Sequence, residues 1–261
     1  IDDRWSLPAK VKLLGQILAA AIVVIGFGIQ IDWLVLPYIG LLYLPTLISV
    51  PVTIFWIIGF VNTVNLIDGL DGLAAGVAAI ASLAIAMLAF QMGQWVSAAA
   101  MVAMAGSALA FLQYNFNPAK IFMGDTGSMF LGYIIAVVSV LGAMKTAAVT
   151  VLFVPVIALM VPIMDTLLAI IRRRISGIPV FAPDKSHLHH RLLAQGLNQK
   201  QVVLVMYALT AFFSCIALLV IHVSPIIGIV IVGGVVTIFI LWAKKLGVLK
   251  KTFQNKEIDT F

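Results

Sequence analysis

The residues of this chain that could do chemistry fall in four short polar stretches separated by long apolar runs. In N-T-V-N-L-I-D-G-L-D-G, Asn62 to Gly72, polar groups recur at 62, 65, 68 and 71. On a helix that period keeps Asn62, Asn65 and Asp68 near one face. Gly69 and Gly72 then permit tight turns and close backbone approach to a ligand. Helix capping would be the plainer role for these Asn and Asp residues, but the segment is more polar than capping requires. The second stretch, Y-N-F-N-P-A-K-I-F-M-G-D-T-G-S, Tyr114 to Ser128, carries Asn115, Asn117, Phe122 and Asp125. Asp125 stands between Gly124 and Thr126-Gly127 ahead of an apolar run, where a carboxylate suits a hard cation such as Mg²⁺ or simply caps the next helix. Phe122 has two readings, stacking on a planar base or an ordinary interfacial aromatic.

The third stretch is P-D-K-S-H-L-H-H-R-L-L, Pro183 to Leu193, preceded by Arg172, Arg173 and Arg174. His187, His189 and His190 crowd beside Arg191 without the second ligand pair that a closed zinc site needs. A cation-rich loop facing carboxylates suits a phosphate group instead. The fourth is Asp2-Asp3, ahead of Lys10 and Lys12 at the start of a span. Neighbouring carboxylates can share a proton, which raises the pKa of one and makes it a usable base.

Composition indicates what must position these groups. The chain of 261 residues is 63% hydrophobic and 10% charged, against about 25% charged in soluble domains, and its mean hydropathy is +1.16. Neither a water-soluble globule nor a disordered tail has such a composition. The net charge of +6 comes from short basic clusters between apolar runs rather than from one basic surface, which argues against nucleic acid as a partner. The lone Cys215, inside an apolar run, allows no internal disulfide and no paired-thiolate metal site.

A bilayer core about 30 Å thick needs about 20 apolar residues per helix. Partition at the polar breaks yields eight spans: 11–31, 47–62, 73–92, 95–112, 129–141, 147–171, 202–221 and 226–243. The expected fold is an all-α polytopic transmembrane bundle, drawn tight by the small residues of 74–84 and 97–110. Residues 1–243 form the membrane domain, whose loops 1–10, 63–72, 113–128 and 172–201 carry the site, and 244–261 form a basic tail. If successive spans alternate sides, these loops share one face with 15 of the 16 cations, Lys145 standing alone opposite. The positive-inside rule makes that face cytoplasmic. Eight of the ten acids lie on or next to it; Asp32 is on the other face and Asp165 within an apolar run.

Taken together, the segments resemble the polyprenyl-phosphate N-acetylhexosamine-1-phosphate transferases, integral membrane enzymes that start bacterial cell-envelope glycan assembly. The resemblance rests on I-D-D at 1–3 with K-L-L-G-Q at 12–16, N-L-I-D-G-L-D-G at 65–72, N-P-A-K-I-F-M-G-D-T-G-S at 117–128 and H-L-H-H-R-L at 187–192. The last is similar to the subgroup that uses UDP-N-acetylglucosamine to begin teichoic acid, lipopolysaccharide O-antigen or similar polymers. The peptidoglycan branch has three consecutive histidines instead. That subgroup has eleven spans, with the paired aspartates after the third, so the chain reads as lacking an N-terminal portion of about three spans.

The resemblance implies transfer of N-acetylglucosamine-1-phosphate from UDP-N-acetylglucosamine to undecaprenyl phosphate, with release of UMP. It implies that Asp125 and Asn65 hold Mg²⁺, with Mn²⁺ as a substitute, and that Asp2 or Asp3 deprotonates or positions the lipid phosphate. Lys12 and the group His187, His189, His190 and Arg191 would bind phosphates. Phe122 would stack on uracil, with Asp71, Asn115 and the Gly69-Leu70 backbone near its edge, and Asp68 would complete the acidic wall. The same reaction on UDP-MurNAc-pentapeptide or another UDP-N-acetylhexosamine is the main alternative. A membrane pyrophosphatase, with water as nucleophile, is a further enzymatic reading. A proton-coupled transporter needs ionisable groups near the midplane, and here only Asp165 qualifies. The oligomeric state stays open, a homodimer included.

Overall fold

Long runs of Ala, Leu, Ile and Val form helices because hydrocarbon offers no partner for a backbone N–H or C=O, so each segment must bond within itself. The computed structural model describes residues 7–36, 40–146, 149–175, 177 and 187–245. In chain order the helices are α1 (Ala9–Ala21, continued by a π-helical turn Ile22–Gly26), α2 (Thr46–Leu66), α3 (Leu73–Gln91), α4 (Trp95–Asn115), α5 (Gly124–Thr146), α6 (Val149–Ala158), α7 (Met160–Ile175), α8 (Leu188–Ala194), α9 (Gln199–Val220) and α10 (Pro225–Lys245). Seven are long and apolar enough to cross a membrane, and the bent pair α6–α7 makes an eighth candidate. The helical bundle expected from composition is therefore present.

α3 is the central helix and packs against α4, α5, α6 and α9. Its Ala-rich surface is buried nearly all round, since small side chains let neighbouring backbones approach. α2 and α5 are closer still: a Cβ at Gly132 would lie 2.7 Å from the Phe60 carbonyl oxygen and 2.8 Å from Val61 Cα. This contact sits one turn from the site, so it sets how the ends of α2 and α5 meet.

Three features differ from the expectation. The single span 147–171 is two helices bent by 76°. Pro162 has no N–H for the Ala158 carbonyl, so the ladder fails there and α7 restarts at a new angle. The loop 32–46 contains a hairpin, β1 (Trp33–Leu36) antiparallel to β2 (Gly40–Tyr43), with Trp33 opposite Tyr43 and Leu36 opposite Gly40. Finally, the histidines expected in a loop begin a helix: His187 is the N-cap of α8, and His189, His190 and Arg191 lie within it.

Candidate active site

α2 runs to Leu66, so Asn62 and Asn65 occupy its last turns and Asp68 lies in the turn beyond rather than on their helical face. Asn62 is turned toward α1, exchanging side-chain amide bonds with Gln16 (2.8 and 3.3 Å). That pairing anchors α1 and sets Lys12, one turn earlier, against the start of α5. Lys12 Nζ lies 2.6 Å from Asp125 Oδ2, both side chains about a third exposed. Asn65 meets α5 as well: Ser128 Oγ donates to Asn65 Oδ1 at 2.7 Å and lies 3.0 Å from the Gly124 carbonyl oxygen. Thus α1, α2 and α5 bring a cation, an amide and a carboxylate to one point.

Asp68 completes this corner. Burial, and after it the negative charge of Asp125, push its carboxyl up to about 7. Asp68 and Asp125, with the amide oxygen of Asn65, make an oxygen-only donor set. Among the described residues no three His, Cys, Asp or Glu side chains form a metal cage. Mg²⁺ takes few protein oxygens and completes its shell with water and substrate phosphates, so the residues present fit that ion.

The D-G-L-D-G turn is pinned on its far side. Tyr207 of α9 donates through its hydroxyl to the Gly72 carbonyl, and Gly72 has φ +81°, a left-handed conformation that favours glycine. A Cβ at Gly76 would lie 2.0 Å from Tyr207 Cζ, so the ring fits only because position 76 has none. Asn115 is buried: its Oδ1 accepts from Gly72 N (3.0 Å) and its Nδ2 donates to the Ile121 carbonyl (2.9 Å). Asp71 Oδ2 accepts from Asn117 Nδ2 and Ala119 N, while Asn117 also donates to Gln199 Oε1 at the start of α9. The second polar stretch is thereby tied to the first. Leu70 packs against the core, whereas Phe122 is 78% exposed on the loop ahead of Asp125.

α8 closes the arrangement from the other side. His189 is buried under Gly69, where a Cβ would come within 3.0 Å of its Nε2. Its ring stacks parallel to His187 at 5.8 Å between centroids and lies 4.2 Å from His190. Burial, then the charge of His190, lower its pKa to about 4. Asp165 of α7 accepts from the backbone N–H of Leu188 at 2.9 Å and pairs with His187 Nδ1 at 3.1 Å. Asp165, read from sequence as an isolated acid in an apolar run, is thus a member of the histidine cluster. Arg172 is buried on the same face of α7.

Lys12, Asn65, Asp68, Gly69, Asp71, Asn115, Asp125, His187, His189, His190 and Arg191 therefore lie on contiguous elements at one end of the bundle. Asp2 and Asp3 lie outside the described residues, as do Asp184, Lys185 and the tail from 246 onward. Sequence reasoning did not single out Asp165, Tyr207, Ser128, Gln16 or Gln199 as site residues. Gln16 and Ser128 carried a signal, as parts of K-L-L-G-Q and N-P-A-K-I-F-M-G-D-T-G-S.

Carboxylates, cations and imidazoles gather at one end of an apolar helical bundle, and the fold is that of a polytopic membrane protein. Residues 1–143, more than half of the chain, match the model for glycosyl transferase family 4, and the chain belongs to that family. It is 41% identical over 218 residues to a probable undecaprenyl-phosphate N-acetylglucosaminyl 1-phosphate transferase of Bacillus subtilis (84% of this chain, 61% of the relative). It is 38% identical over 266 residues to the decaprenyl-phosphate N-acetylglucosaminephosphotransferase of Mycobacterium tuberculosis (91% and 65%). A phospho-N-acetylmuramoyl-pentapeptide-transferase of Staphylococcus carnosus is 35% identical over 213 residues (78% and 64%). The chain spans a little under two thirds of the length of these relatives.

Proposed function

We propose that the protein transfers N-acetylglucosamine-1-phosphate from UDP-N-acetylglucosamine to undecaprenyl phosphate at the cytoplasmic face of a bacterial inner membrane, releasing UMP. The observation that carries this reading is the meeting of Lys12, Asn65 and Asp125 at the loop end of a membrane bundle, with a histidine helix on the neighbouring Gly69 turn. A lipid phosphate and a soluble nucleotide can both reach such a place, the polyprenyl chain staying in hydrocarbon. The names of the two N-acetylglucosamine-phosphate relatives support the donor and the polyprenyl acceptor.

In this reading an oxygen of the lipid phosphate attacks the β-phosphorus of the nucleotide sugar. The bond from that phosphorus to the bridging oxygen breaks, and UMP leaves with the electron pair. Asp2 or Asp3 takes the proton of the lipid phosphate. Asp125 and Asn65 would hold Mg²⁺, or Mn²⁺ in its place, which when bound offsets charge on the pyrophosphate. Lys12, His187, His190 and Arg191 face the phosphates, and Phe122 stacks on uracil. Asp71 and the Gly69-Leu70 backbone border the base. Asn115, whose amide is engaged on Gly72 and Ile121, shapes that border from beneath. Asp68 supplies the acidic wall, and His189, neutral at pH 7, braces the Gly69 turn. The product would start a teichoic acid or lipopolysaccharide O-antigen type of polymer.

The test is UMP release by the full-length protein in detergent with Mg²⁺ and UDP-N-acetylglucosamine, with and without undecaprenyl phosphate. UMP is expected only with the lipid. UMP without lipid would mark a pyrophosphatase, and turnover only with UDP-MurNAc-pentapeptide would move the protein to the other branch of its family.

A further inference from the structure

One acid of the site is held away from the nucleotide-facing loops. Asp165 lies in the second turn of α7, 3% exposed, on the buried stripe formed by Val161, Pro162, Asp165, Leu168, Ala169 and Arg172. Both its carboxylate oxygens are directed at the start of α8: Oδ1 accepts from Leu188 N and Oδ2 meets His187 Nδ1. The bend between α6 and α7 is what carries the carboxylate there. A seven-residue helix is too short to hold its own shape. Its direction must come from contacts such as this one.

An ionised carboxylate can only accept a hydrogen bond, so the proton between the two groups belongs to His187 Nδ1. The other ring nitrogen, Nε2, is then the one that carries no proton. His189 stacks parallel on His187, so orientation given to one ring is passed to the next.

We propose that Asp165 is the positioning residue of the histidine group: it fixes the tautomer of His187 and the direction of α8, so that His187, His190 and Arg191 meet the nucleotide phosphates as one rigid set. The phosphate role rests on the transferase reading above; the tautomer does not. Asp165→Asn separates the two effects of the carboxylate. Its Oδ1 can still accept from Leu188 N, but its N–H₂ faces Nδ1 and forces the proton onto Nε2.

The experiment uses the full-length protein with Asp165→Asn, Asp165→Glu, His187→Ala and the double variant Asp165→Asn/His187→Ala. With lipid saturating and UDP-N-acetylglucosamine varied, Asp165→Asn should lower kcat by about 10–100-fold, leave KM within about threefold, and add nothing once His187 is Ala. Asp165→Glu should recover part of the loss. Imidazole ¹⁵N spectra, assigned by the signal missing in His187→Ala, should show Nδ1 protonated in the wild type and Nε2 protonated in Asp165→Asn. Wild-type kcat in Asp165→Asn, or an equal loss with and without His187, would overturn the inference. If Asp165→Asn does not fold, the wild-type spectra decide: His187 protonated on Nε2 rather than Nδ1 would overturn the inference. A wild type that makes no UMP with any donor defeats the transferase reading, and the spectra then decide the Asp165–His187 assignment alone.

Discussion

Around Asp125 the charged groups sit on helix ends that meet from α1, α2 and α5, and the Lys12–Asp125 pair stays about a third exposed. Around His187 the groups are sealed, with Asp165 at 3%, His187 at 6% and His189 at 1% exposure. An exposed ion pair contributes about 0–1 kcal/mol, because water solvates both partners nearly as well. Such a pair can be exchanged for a ligand at small cost. A buried hydrogen-bonded group is different: removing its partner costs about 1–3 kcal/mol. The acidic corner is thus built to rearrange on binding, and the imidazole corner to stay where folding places it.

The comparison can be broken most sharply at Asp125. Asp125→Ala should lower UMP release by about 10³-fold or more, while the thermal midpoint in detergent hardly moves, since the lost pair is exposed. A large stability loss would show that the acidic corner is structural too. Asp165→Ala should add a stability cost to its loss of kcat, destabilising by about 1–3 kcal/mol because Leu188 N–H and His187 Nδ1 lose their acceptor. Chemical or thermal unfolding in detergent reads this directly.

Ser128→Ala sharpens the acidic side. It removes the donor that orients Asn65 Oδ1, so Mn²⁺ binding and the Mg²⁺ dependence of UMP release should both weaken about tenfold, with saturating kcat nearly kept. Tyr207→Phe deletes only the hydroxyl on Gly72 and should cost about 0.5–1.5 kcal/mol, measured by the same unfolding assay. The mildest effect at neutral pH comes from His189. Its folded pKa of about 4 lies below the ordinary 6.5, so between those values the unfolded chain binds a proton that the folded one does not. Stability from this group is therefore full above 6.5 and is lost as pH falls toward 4. A wild-type loss in that window that persists unchanged in His189→Gln would assign it to another group.

Much of the site was legible because its residues come in clusters. Asn65, Asp68, Gly69 and Asp71 share one stretch, Asn115 to Asp125 another, and His187 to Arg191 a third, and each marks a place where an apolar run stops. The spans were legible for the same reason, since hydrocarbon demands unbroken helices. The kink was not, although Pro155 and Pro162 were in view: a proline inside an apolar run can bend a helix or be absorbed by neighbours. The pairing of Asp165 was not legible, because its partner His187 is 22 residues further along the chain and on another helix. Tyr207 was invisible, an aromatic in an apolar helix whose role depends on the missing side chain of Gly76, 131 positions earlier.

Local composition by itself determined that this chain is a membrane bundle with its ionisable groups at the ends of helices, because burying charge or unpaired backbone in lipid is costly wherever it occurs in the chain. Which of those groups touch was decided only by tertiary structure. Lys12 and Asp125 meet because Gln16 locks to Asn62 and Gly132 lets α5 close on α2, and Asp165 reaches His187 because the backbone breaks after Ala158. Each depends on the angle and separation between helices, and side-chain volumes far apart in sequence set both.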